Sequence, residues 1–390
     1  MSWAWWLLLP GCLVWAGMAI AAVLTALRVP KLAKLSPTRP KRWPSVAVIV
    51  PCRNEGAHVE AAARSLMALD YPRLQLVLVN DRSSDDTGAI MDRLAADDPR
   101  VQVVHVDTLP DGWLGKNHAL SRGAASTNAE WLLFTDGDVH FHAETLRRAV
   151  AHVLHHDADH LALLPDVWSR GDPALDLALA AFGRYFSVGQ RLWAVSDPNT
   201  SASVGVGAFN LVSREALHEA GGFDAFPLDV ADDLALGLAL KRSGATTLVA
   251  SGHDLIGLEW YASFAAMAHG LEKNTFAPLE FSLPRLFLLV GILLTVELSP
   301  FLALTTLTHN PVVFGAGLVA ALIACSLDLG MSLWSGRPRW TCLLVPVGGV
   351  LMAAIFLRAG LIGHRQGGLV WRDSFYPKET IIGRQLLTWP

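Results

Sequence analysis

Four long apolar segments bracket a more polar central region of the chain. The first runs from Trp5 to Leu27 without a charge, and an apolar block near the C-terminus divides at polar breaks into segments 284–307, 312–334 and 341–363. A helix of about 20 residues, rising about 1.5 Å per residue, crosses a hydrocarbon core of about 30 Å. The pattern therefore predicts an N-terminal transmembrane helix and a C-terminal membrane region of two to three spans.

The charges beside these segments predict their orientation. A run of basic residues follows the first segment before any acid appears, namely Arg28, Lys31, Lys34, Arg39, Lys41 and Arg42. The positive-inside rule then places the N-terminus outside and the central region in the cytoplasm. The tail after residue 364 is also basic, which favours the cytoplasm, although three C-terminal spans would leave it outside. A re-entrant or interfacial segment would resolve this conflict, and 341–363 is the strongest candidate; the sequence leaves the number of crossings open.

The central region alternates β-branched runs with helix-like stretches. Strands are predicted at 46–50, 74–79, 101–106, 131–134 and 161–164, and helices at 57–69, 85–96, 117–125 and 143–155. This succession predicts an α/β fold with a mostly parallel sheet and helices on both faces. Ligands of such sheets bind beyond the carboxyl ends of the strands.

Polar clusters stand at four consecutive predicted strand ends. They are Pro51 to Gly56, Asn80-Asp81, Gly115-Lys116 and Asp136-Gly137-Asp138. Two carboxylates one residue apart offer hard oxygen ligands to a divalent cation, which can neutralise a diphosphate. Turn chemistry is the alternative for any single cluster, because Asp-Gly is an ordinary turn signal and Asp85 and Asp86 suit a helix start.

Composition agrees with a membrane protein. Hydrophobic residues make up 52% of the chain and charged residues 17%, against roughly 25% charged residues in soluble domains. The net charge of -4 and the absence of a basic stripe interleaved with aromatics argue against nucleic acid as a partner. The four cysteines show no metal-ligand spacing, which indicates a reducing compartment.

The ordered clusters carry a resemblance. Residues 51–138 contain Pro-x-x-Asn-Glu, Asn-Asp, Ser-x-Asp-x-Thr, Gly-Lys-x-x-Ala-Leu and Asp-x-Asp in that order, and Gly205–Phe209 and Asp232-Asp233 follow downstream. Over residues 45–280 the chain resembles the family 2 glycosyltransferases, which are nucleotide-sugar enzymes of the GT-A fold. Lys273-Asn274 and segment 370–376 are most similar to the hopanoid-associated and carotenoid-type membrane enzymes of that family.

The resemblance implies a role for each matched residue. It places Pro51, Asn54, Glu55 and Asp81 against the nucleotide, Asp136 against the ribose or metal, and Asp138 on Mg²⁺ or Mn²⁺. Asp233 is the implied base that deprotonates the acceptor hydroxyl. The family usually has Glu-Asp where this chain has Asp232-Asp233, so the choice between these two acids stays open. Lys116 fits either a position near the phosphates or a solvated helix start.

Other residues have weaker assignments. His253 is a candidate late metal ligand, and His140 and His142 are either ligands or loop residues. Residues 175–193 and 260–271 either frame a lipid route at the membrane interface or form core helices. On the acceptor side the resemblance suggests the following set: Gly207, Trp371, Arg372 and Tyr376.

Together these observations predict a multi-pass enzyme of the plasma (inner) membrane. We expect a transmembrane helix over 1–28, a basic linker over 29–44, a GT-A domain over 45–281, a membrane region over 282–364 and a cytoplasmic tail over 365–390. The predicted reaction is inverting, metal-dependent hexosyl transfer from a nucleotide-diphosphate sugar, most simply a UDP-sugar, to a lipid hydroxyl of hopanoid or isoprenoid type. The alternatives are a processive polysaccharide synthase, although its Gln-x-x-Arg-Trp motif is missing around 265–275, and a non-catalytic membrane scaffold.

Overall fold

The computed structural model describes residues 2–36, 40–371 and 374–388. Its strands are β1 (Val46–Cys52), β2 (Leu74–Asp81), β3 (Val101–Val106), β4 (Trp131–Phe134), β5 (His140–Phe141), β6 (His160–Leu164), β7 (Asp166–Val167), β8 (Asn210–Ser213), β9 (Thr247–Ser251), β10 (Ile256–Leu258), β11 (Gly368–Trp371) and β12 (Ser374–Pro377). Its α-helices are α1 (Leu9–Arg28), α2 (Val59–Met67), α3 (Thr87–Asp97), α4 (Gly115–Ala125), α5 (Thr145–His155), α6 (Pro173–Gly189), α7 (Arg214–Glu219), α8 (Asp232–Arg242), α9 (Phe264–Gly270), α10 (Glu272–Phe276), α11 (Leu283–Ala303), α12 (Pro311–Ser335), α13 (Val345–Gln366) and α14 (Lys378–Ile381).

A seven-stranded sheet forms the centre of the domain, in the order β3-β2-β1-β4-β8-β6-β9. The pairs β1–β2, β2–β3, β1–β4 and β6–β9 are parallel, and β8 runs antiparallel to both of its neighbours. Val46–Val50 is buried throughout, as expected for a parallel strand covered on both faces. The predicted α/β fold with a mostly parallel sheet is therefore confirmed.

A second sheet of three short strands has the order β5-β10-β7. Strand β5 follows Asp138 by one residue and pairs with β10, which also pairs with β7. This small sheet ties the chain after Asp138 to the segments around Asp166 and His253. The sequence pattern did not reveal it, because strands of two or three residues are too short to show a period.

Within the described residues, four helices are long and apolar enough to cross a membrane, as the sequence predicted: Trp5–Arg28, Leu283–Thr306, Pro311–Ser335 and Val345–Gln366. The last begins later than the predicted residue 341, because Arg339–Leu343 forms a short 3-10 helix. Pro346 then occupies the first turn of α13, where its missing N–H costs no helical hydrogen bond.

Both ends of α13 adjoin the α/β domain. Just before its start, the Arg337 Nη1 donates to the Leu179 carbonyl oxygen of α6 over 2.6 Å. Beyond its end, the backbone N–H of Leu386 donates to an Asp229 carboxylate oxygen over 2.8 Å. Between these points α13 packs against α6, α9 and α10 on one side and α11 on the other.

A buried ion-pair network joins the domain to the membrane helices. Arg184 on α6 lies 2.5 Å from an Asp328 oxygen of α12 and 3.2 Å from a Glu297 oxygen of α11. The Arg184 guanidinium also lies over the Trp15 ring of α1, at 5.5 Å from its centroid. All three charged side chains are at most 2% exposed. Helix α6, which overlaps the segment 175–193, therefore packs at the junction between the α/β domain and the helices α1, α11 and α12.

Replacement of Arg184 by Met should destabilise this junction. Removal of one partner leaves two acids buried without their cation, and such a break costs about 3–5 kcal/mol. We expect a lower unfolding midpoint in detergent, measured by thermal melting. In the triple variant Arg184→Met, Glu297→Gln, Asp328→Asn, part of this loss should be recovered because no charge remains unpaired.

Arg285→Met is the matched control, because Arg285 pairs with Glu280 in a half-exposed bridge. Surface pairs contribute at most about 1 kcal/mol. Equal melting of the Arg184 and Arg285 variants would contradict the junction as a source of stability.

Candidate active site

The acids predicted from the sequence converge on one cleft at the carboxyl edge of the large sheet. Asp136 follows β4, Asp232 and Asp233 open α8, and Lys116 lies in the first turn of α4. The lining residues are Lys116, Leu120, Phe134, Thr135, Asp136, Gly207, Asn210, Phe223, Asp232, Asp233 and Leu236. Residues more than a hundred positions apart in the sequence thus line one small, strongly charged cleft.

Lys116 lies between the acids. Its Nζ is 2.7 Å from an Asp136 oxygen and 3.1 Å from an Asp232 oxygen, and its side chain is 23% exposed. Burial alone would lower the pKa of Lys116, but Asp136, Asp232 and Asp233 together raise it above its usual value. The alternative of a solvated lysine at a helix start is therefore wrong.

Asp233 is held by backbone amides. The N–H of Gly207 donates to one of its carboxylate oxygens over 2.8 Å, and the N–H of Leu234 donates to the other over 2.8 Å. Burial and the adjacent Asp232 carboxylate raise the pKa of Asp233 to about 6. The chain at Gly205 passes so close to the Asp233 carbonyl oxygen that a Cβ would collide with it. Gly205 and Gly207 therefore set the position of this acid.

Asp138 is exposed two residues after Asp136 and is not among the residues that line the cleft. Although its side chain reaches solvent, its surroundings desolvate it, and Asp136 and then Glu55 repel its charge. These effects raise the pKa of Asp138 to about 6. The carboxylates of Asp136, Asp138 and Glu55 thus form an acidic group whose mutual repulsion a bound cation would relieve.

The loops after β1 and β2 are linked by hydrogen bonds. The N–H of Asn54 donates to the Ser83 hydroxyl over 3.0 Å, and the N–H of Ser84 donates to the Asn54 side-chain oxygen over 2.8 Å. Asp85 accepts from the N–H of Gly56 over 3.0 Å. Asp85 therefore contributes to this loop pair, in addition to standing just before α3.

Asp81 has a partner that the sequence did not indicate. Arg82 donates to both Asp81 carboxylate oxygens, over 2.7 and 3.0 Å, and the Asp81 side chain is 7% exposed. Pro51 lies at the end of β1, paired in register with Val79 of β2. Asp81, which the resemblance places against the nucleotide, is thus already held in a bidentate ion pair with Arg82.

The candidate histidines lie in a different group. The His253 Nδ1 is 2.6 Å from an Asp166 oxygen, and Asp166, His253 and Asp254 bring their ligand atoms within 4.8 Å of one another. His140 lies in β5 with its ring 5.7 Å from that of Trp168, and the His142 Nδ1 accepts from the N–H of Glu144. His253 is therefore in contact with Asp166. The acids whose charges raise the pKa of Asp138 are Asp136 and Glu55.

The C-terminal hairpin β11–β12 reaches the cleft. The Trp371 ring lies over the Lys273 Nζ at 4.1 Å, and the charge of Lys273 in turn acts on Asp232. Tyr376 of the same hairpin is close enough to Arg82 to affect its pKa. Arg372 lies outside the described residues. The sequence motifs assigned no role to Arg82, which pairs with the adjacent Asp81, and they marked Lys273 only through the resemblance, because its contact with Trp371 joins distant segments.

Comparison with known proteins agrees with this arrangement. Residues 44–256, more than half of the chain, match the profile described as "Glycosyltransferase like family 2". The chain belongs to this family. The prediction of a family 2 glycosyltransferase is thereby confirmed.

Two curated relatives act on lipids by name. The chain is 28% identical over 238 residues to the beta-monoglucosyldiacylglycerol synthase of Synechocystis sp., covering 54% of this chain and 46% of that enzyme. It is 22% identical over 264 residues to the 4,4'-diaponeurosporenoate glycosyltransferase of Staphylococcus haemolyticus, covering 63% of this chain and 65% of that enzyme. The chain thus matches about half to two thirds of the length of these relatives.

One solved structure shares the fold over nearly the whole chain. It is a mannosyltransferase from Pyrobaculum calidifontis, in complex with GDP-Man and Mn²⁺. The TM-score is 0.53 at 19% identity, and the match covers 92% of this chain and 99% of that one. The predicted GT-A fold with accompanying membrane helices is confirmed.

Replacement of Lys116 by Met should make the stability of the domain strongly dependent on pH. Without the ammonium group, the neighbouring acids would have folded-state pKa values further above their unfolded values. Stability then increases as pH falls, because the folded state binds more protons than the unfolded state. We expect a loss of about 2 kcal/mol at pH 7.5 and a smaller loss at pH 5.5, measured by denaturant unfolding at both pH values.

Lys34→Met serves as the control, since Lys34 is exposed on the linker. That variant should track the unmodified protein at both pH values. If the loss of unfolding free energy in Lys116→Met were larger at pH 5.5 than at pH 7.5, Lys116 would not be the counter-ion of these acids.

Proposed function

We propose that this protein transfers a sugar, with inversion and with the help of a divalent cation, from a nucleotide-diphosphate sugar to the hydroxyl of a membrane lipid. The observation that carries this proposal is the convergence of Asp136, Asp232 and Asp233 on one cleft, with the exposed Asp138 two residues beyond Asp136. Their domain is joined to membrane helices by the buried Arg184 network. The lipid names of two relatives support the acceptor class.

The residues present fit a divalent cation. Asp136 and Asp138 offer carboxylate oxygens, the ligands that Mg²⁺ and Mn²⁺ prefer. Desolvation and the nearby Asp136 and Glu55 carboxylates raise the pKa of Asp138, which supports a cation as the missing counter-charge. When bound, the cation supplies charge neutralisation for the leaving diphosphate. Lys116 adds a fixed positive charge on the same wall, beside Asp136.

Asp233 is the better candidate for the base. The Asp232 carboxylate is paired with Lys116, whereas the Asp233 oxygens are oriented by two backbone N–H groups. In the proposed step Asp233 accepts the proton of the acceptor hydroxyl, whose oxygen forms a bond to the anomeric carbon. The bond from that carbon to the nucleotide diphosphate breaks on the opposite face, so the anomeric configuration inverts.

The proposed setting is the cytoplasmic face of the plasma (inner) membrane. The basic linker after α1 supports a cytoplasmic domain by the positive-inside rule. Since both ends of α13 adjoin that domain, we place the tail on the same side and assign α13 to the membrane interface. A UDP-sugar is the proposed donor, and a hopanoid, isoprenoid or glycerolipid alcohol is the proposed acceptor.

Asp138→Asn and Asp233→Asn should each remove sugar transfer for a different reason. Loss of Asp138 removes a cation ligand, while loss of Asp233 removes the base, which is typically worth about 10²- to 10⁴-fold in rate. The measurement is nucleotide release and lipid glycosylation by the purified protein with a panel of UDP- and GDP-sugars and Mg²⁺ or Mn²⁺. Excess cation should partly restore only the Asp138 variant.

Asp224→Asn is the matched control, because this acid lies in the short 3-10 helix Gly222–Ala225, outside the cleft lining. Unchanged rates in the Asp138 and Asp233 variants would refute the enzymatic proposal.

The acid limb of the pH profile should report Asp233. A base must be deprotonated, so kcat/KM for the donor should fall as pH drops through about 6, the raised pKa of this carboxyl. In Asp232→Asn the neighbouring negative charge is gone and Lys116 acts more strongly on Asp233. The acid limb of the pH profile of Asp232→Asn should therefore move to lower pH. If Asp233→Asn were active and Asp232→Asn inactive, Asp232 would be the base instead of Asp233.

A further inference from the structure

Four half-buried aromatic side chains form a continuous row outside the acidic cleft. The rings of Phe186 and Phe182 on α6 stack with centroids 5.9 Å apart. Phe182 meets Trp260 edge to face at 4.9 Å, and Trp260 contacts Tyr261 at 4.8 Å. We name Phe186, Phe182, Trp260 and Tyr261 the aromatic strip. Each keeps part of its surface exposed, in contrast to the fully buried residues of the cores.

One end of the strip lies beside the candidate metal ligand. Strand β10 pairs antiparallel with β5, with Gly257 opposite His140, so the chain from β10 to Tyr261 runs back alongside Asp138. Burial and then the Asp138 carboxylate raise the pKa of the Tyr261 phenol. Tyr261 rests on the end of α9 at Gly270, where a Cβ would collide with the phenol ring. Gly270 therefore allows the Tyr261 ring and its hydroxyl to lie directly against the end of α9.

The other end of the strip lies where membrane helices end. Phe186 packs in one cluster with Trp193 and Trp334. The Trp193 carbonyl oxygen accepts from Arg28 over 3.2 Å, and the Trp334 carbonyl oxygen accepts from Lys31 over 2.6 Å. Tryptophan and basic residues at helix ends are typical of the membrane–water boundary. The strip therefore connects the bilayer boundary to the cleft.

The form of the strip selects an apolar occupant. Aromatic faces bind hydrocarbon well, and a phenol at the end of such a surface can orient a hydroxyl. Since Tyr261 follows the strand that pairs with β5 next to Asp138, the aromatic strip ends near the candidate metal ligand. A lipid whose hydroxyl is attached close to its hydrocarbon body fits this surface. A lipid with a long polar spacer would place polar atoms on the rings.

We infer that the aromatic strip seats the hydrocarbon body of the lipid acceptor and that the Tyr261 hydroxyl orients the acceptor hydroxyl towards the cleft. This inference rests on the proposed function and adds to it the acceptor route and its specificity-determining residues. Phe182 and Trp260 supply apolar surface, and Tyr261 acts as a positioning residue.

The first experiment locates the lipid directly. A long-chain alcohol carrying a diazirine in its chain is photolysed with the full-length protein in detergent, and labelled peptides are identified by mass spectrometry. We expect labels within 173–189 and 260–270, competed by unlabelled long-chain alcohol. Labelling confined to the outer faces of α1, α11 and α12 would overturn the inference.

The second experiment separates acceptor binding from donor chemistry. In Phe182→Leu and Trp260→Leu, KM for a long-chain alcohol should rise about tenfold, the size expected for losing part of one buried aromatic contact. KM for a short, water-soluble alcohol should stay the same. Tyr261→Phe should lower transfer to the long-chain alcohol relative to donor hydrolysis by water. Gly270→Ala, which displaces the Tyr261 ring without removing its hydroxyl, should have the same effect.

Phe287→Leu is the control, because Phe287 is 54% exposed on α11, outside the strip. It should match the unmodified protein in both KM values. Equal KM changes for long and short alcohols would reduce the strip to a packing role and overturn the inference. If the unmodified protein releases no nucleotide from any sugar donor, the proposed function is refuted. If it does release nucleotide but the strip variants keep the KM of the unmodified protein for the long-chain alcohol, only the acceptor route is refuted.

Discussion

The cleft depends on one ammonium group placed among acids. Lys116 contacts Asp136 and Asp232 directly and acts on Asp233, so it links the end of β4 to the starts of α4 and α8. Clustered carboxylates in a desolvated cleft repel one another strongly. The lysine compensates part of that repulsion and leaves Asp138 and Asp233 with raised pKa values. The same balance leaves one position suited to a cation and one carboxylate suited to accept a proton.

A second buried cation plays a related part at the membrane. Arg184 joins α6 to α11 and α12 through Glu297 and Asp328, and its guanidinium covers Trp15 of α1. Charges in such an apolar junction are retained only when they are paired. Because α6 also carries Phe182 and Phe186, this network fixes the aromatic strip relative to the membrane helices. Docking of the domain and the proposed seating of an acceptor thus depend on the same helix.

Much of the fold was predictable because its signals are local. Apolar runs such as Val46–Val50 and Trp131–Phe134 give buried strands, and polar residues at their carboxyl ends must meet at one edge of a parallel sheet. The strands β8 to β10 carried no clear pattern, since they are short and their pairing partners lie far away in sequence. His253, a candidate metal ligand by position, pairs with Asp166, and Asp166, His253 and Asp254 bring their ligand atoms within 4.8 Å of one another.

The sequence by itself determined the α/β domain, its family, the apolar helices and the identity of the acids at the strand ends, because periodicity, hydropathy and ordered motifs are encoded along the chain. The tertiary structure decided which distant charges compensate one another: Lys116 with Asp136 and Asp232, and Arg184 with Glu297 and Asp328. It also placed the tail beside the cleft and both ends of α13 at the domain. These features depend on distance and desolvation between remote segments, and neither quantity can be obtained from the order of residues alone.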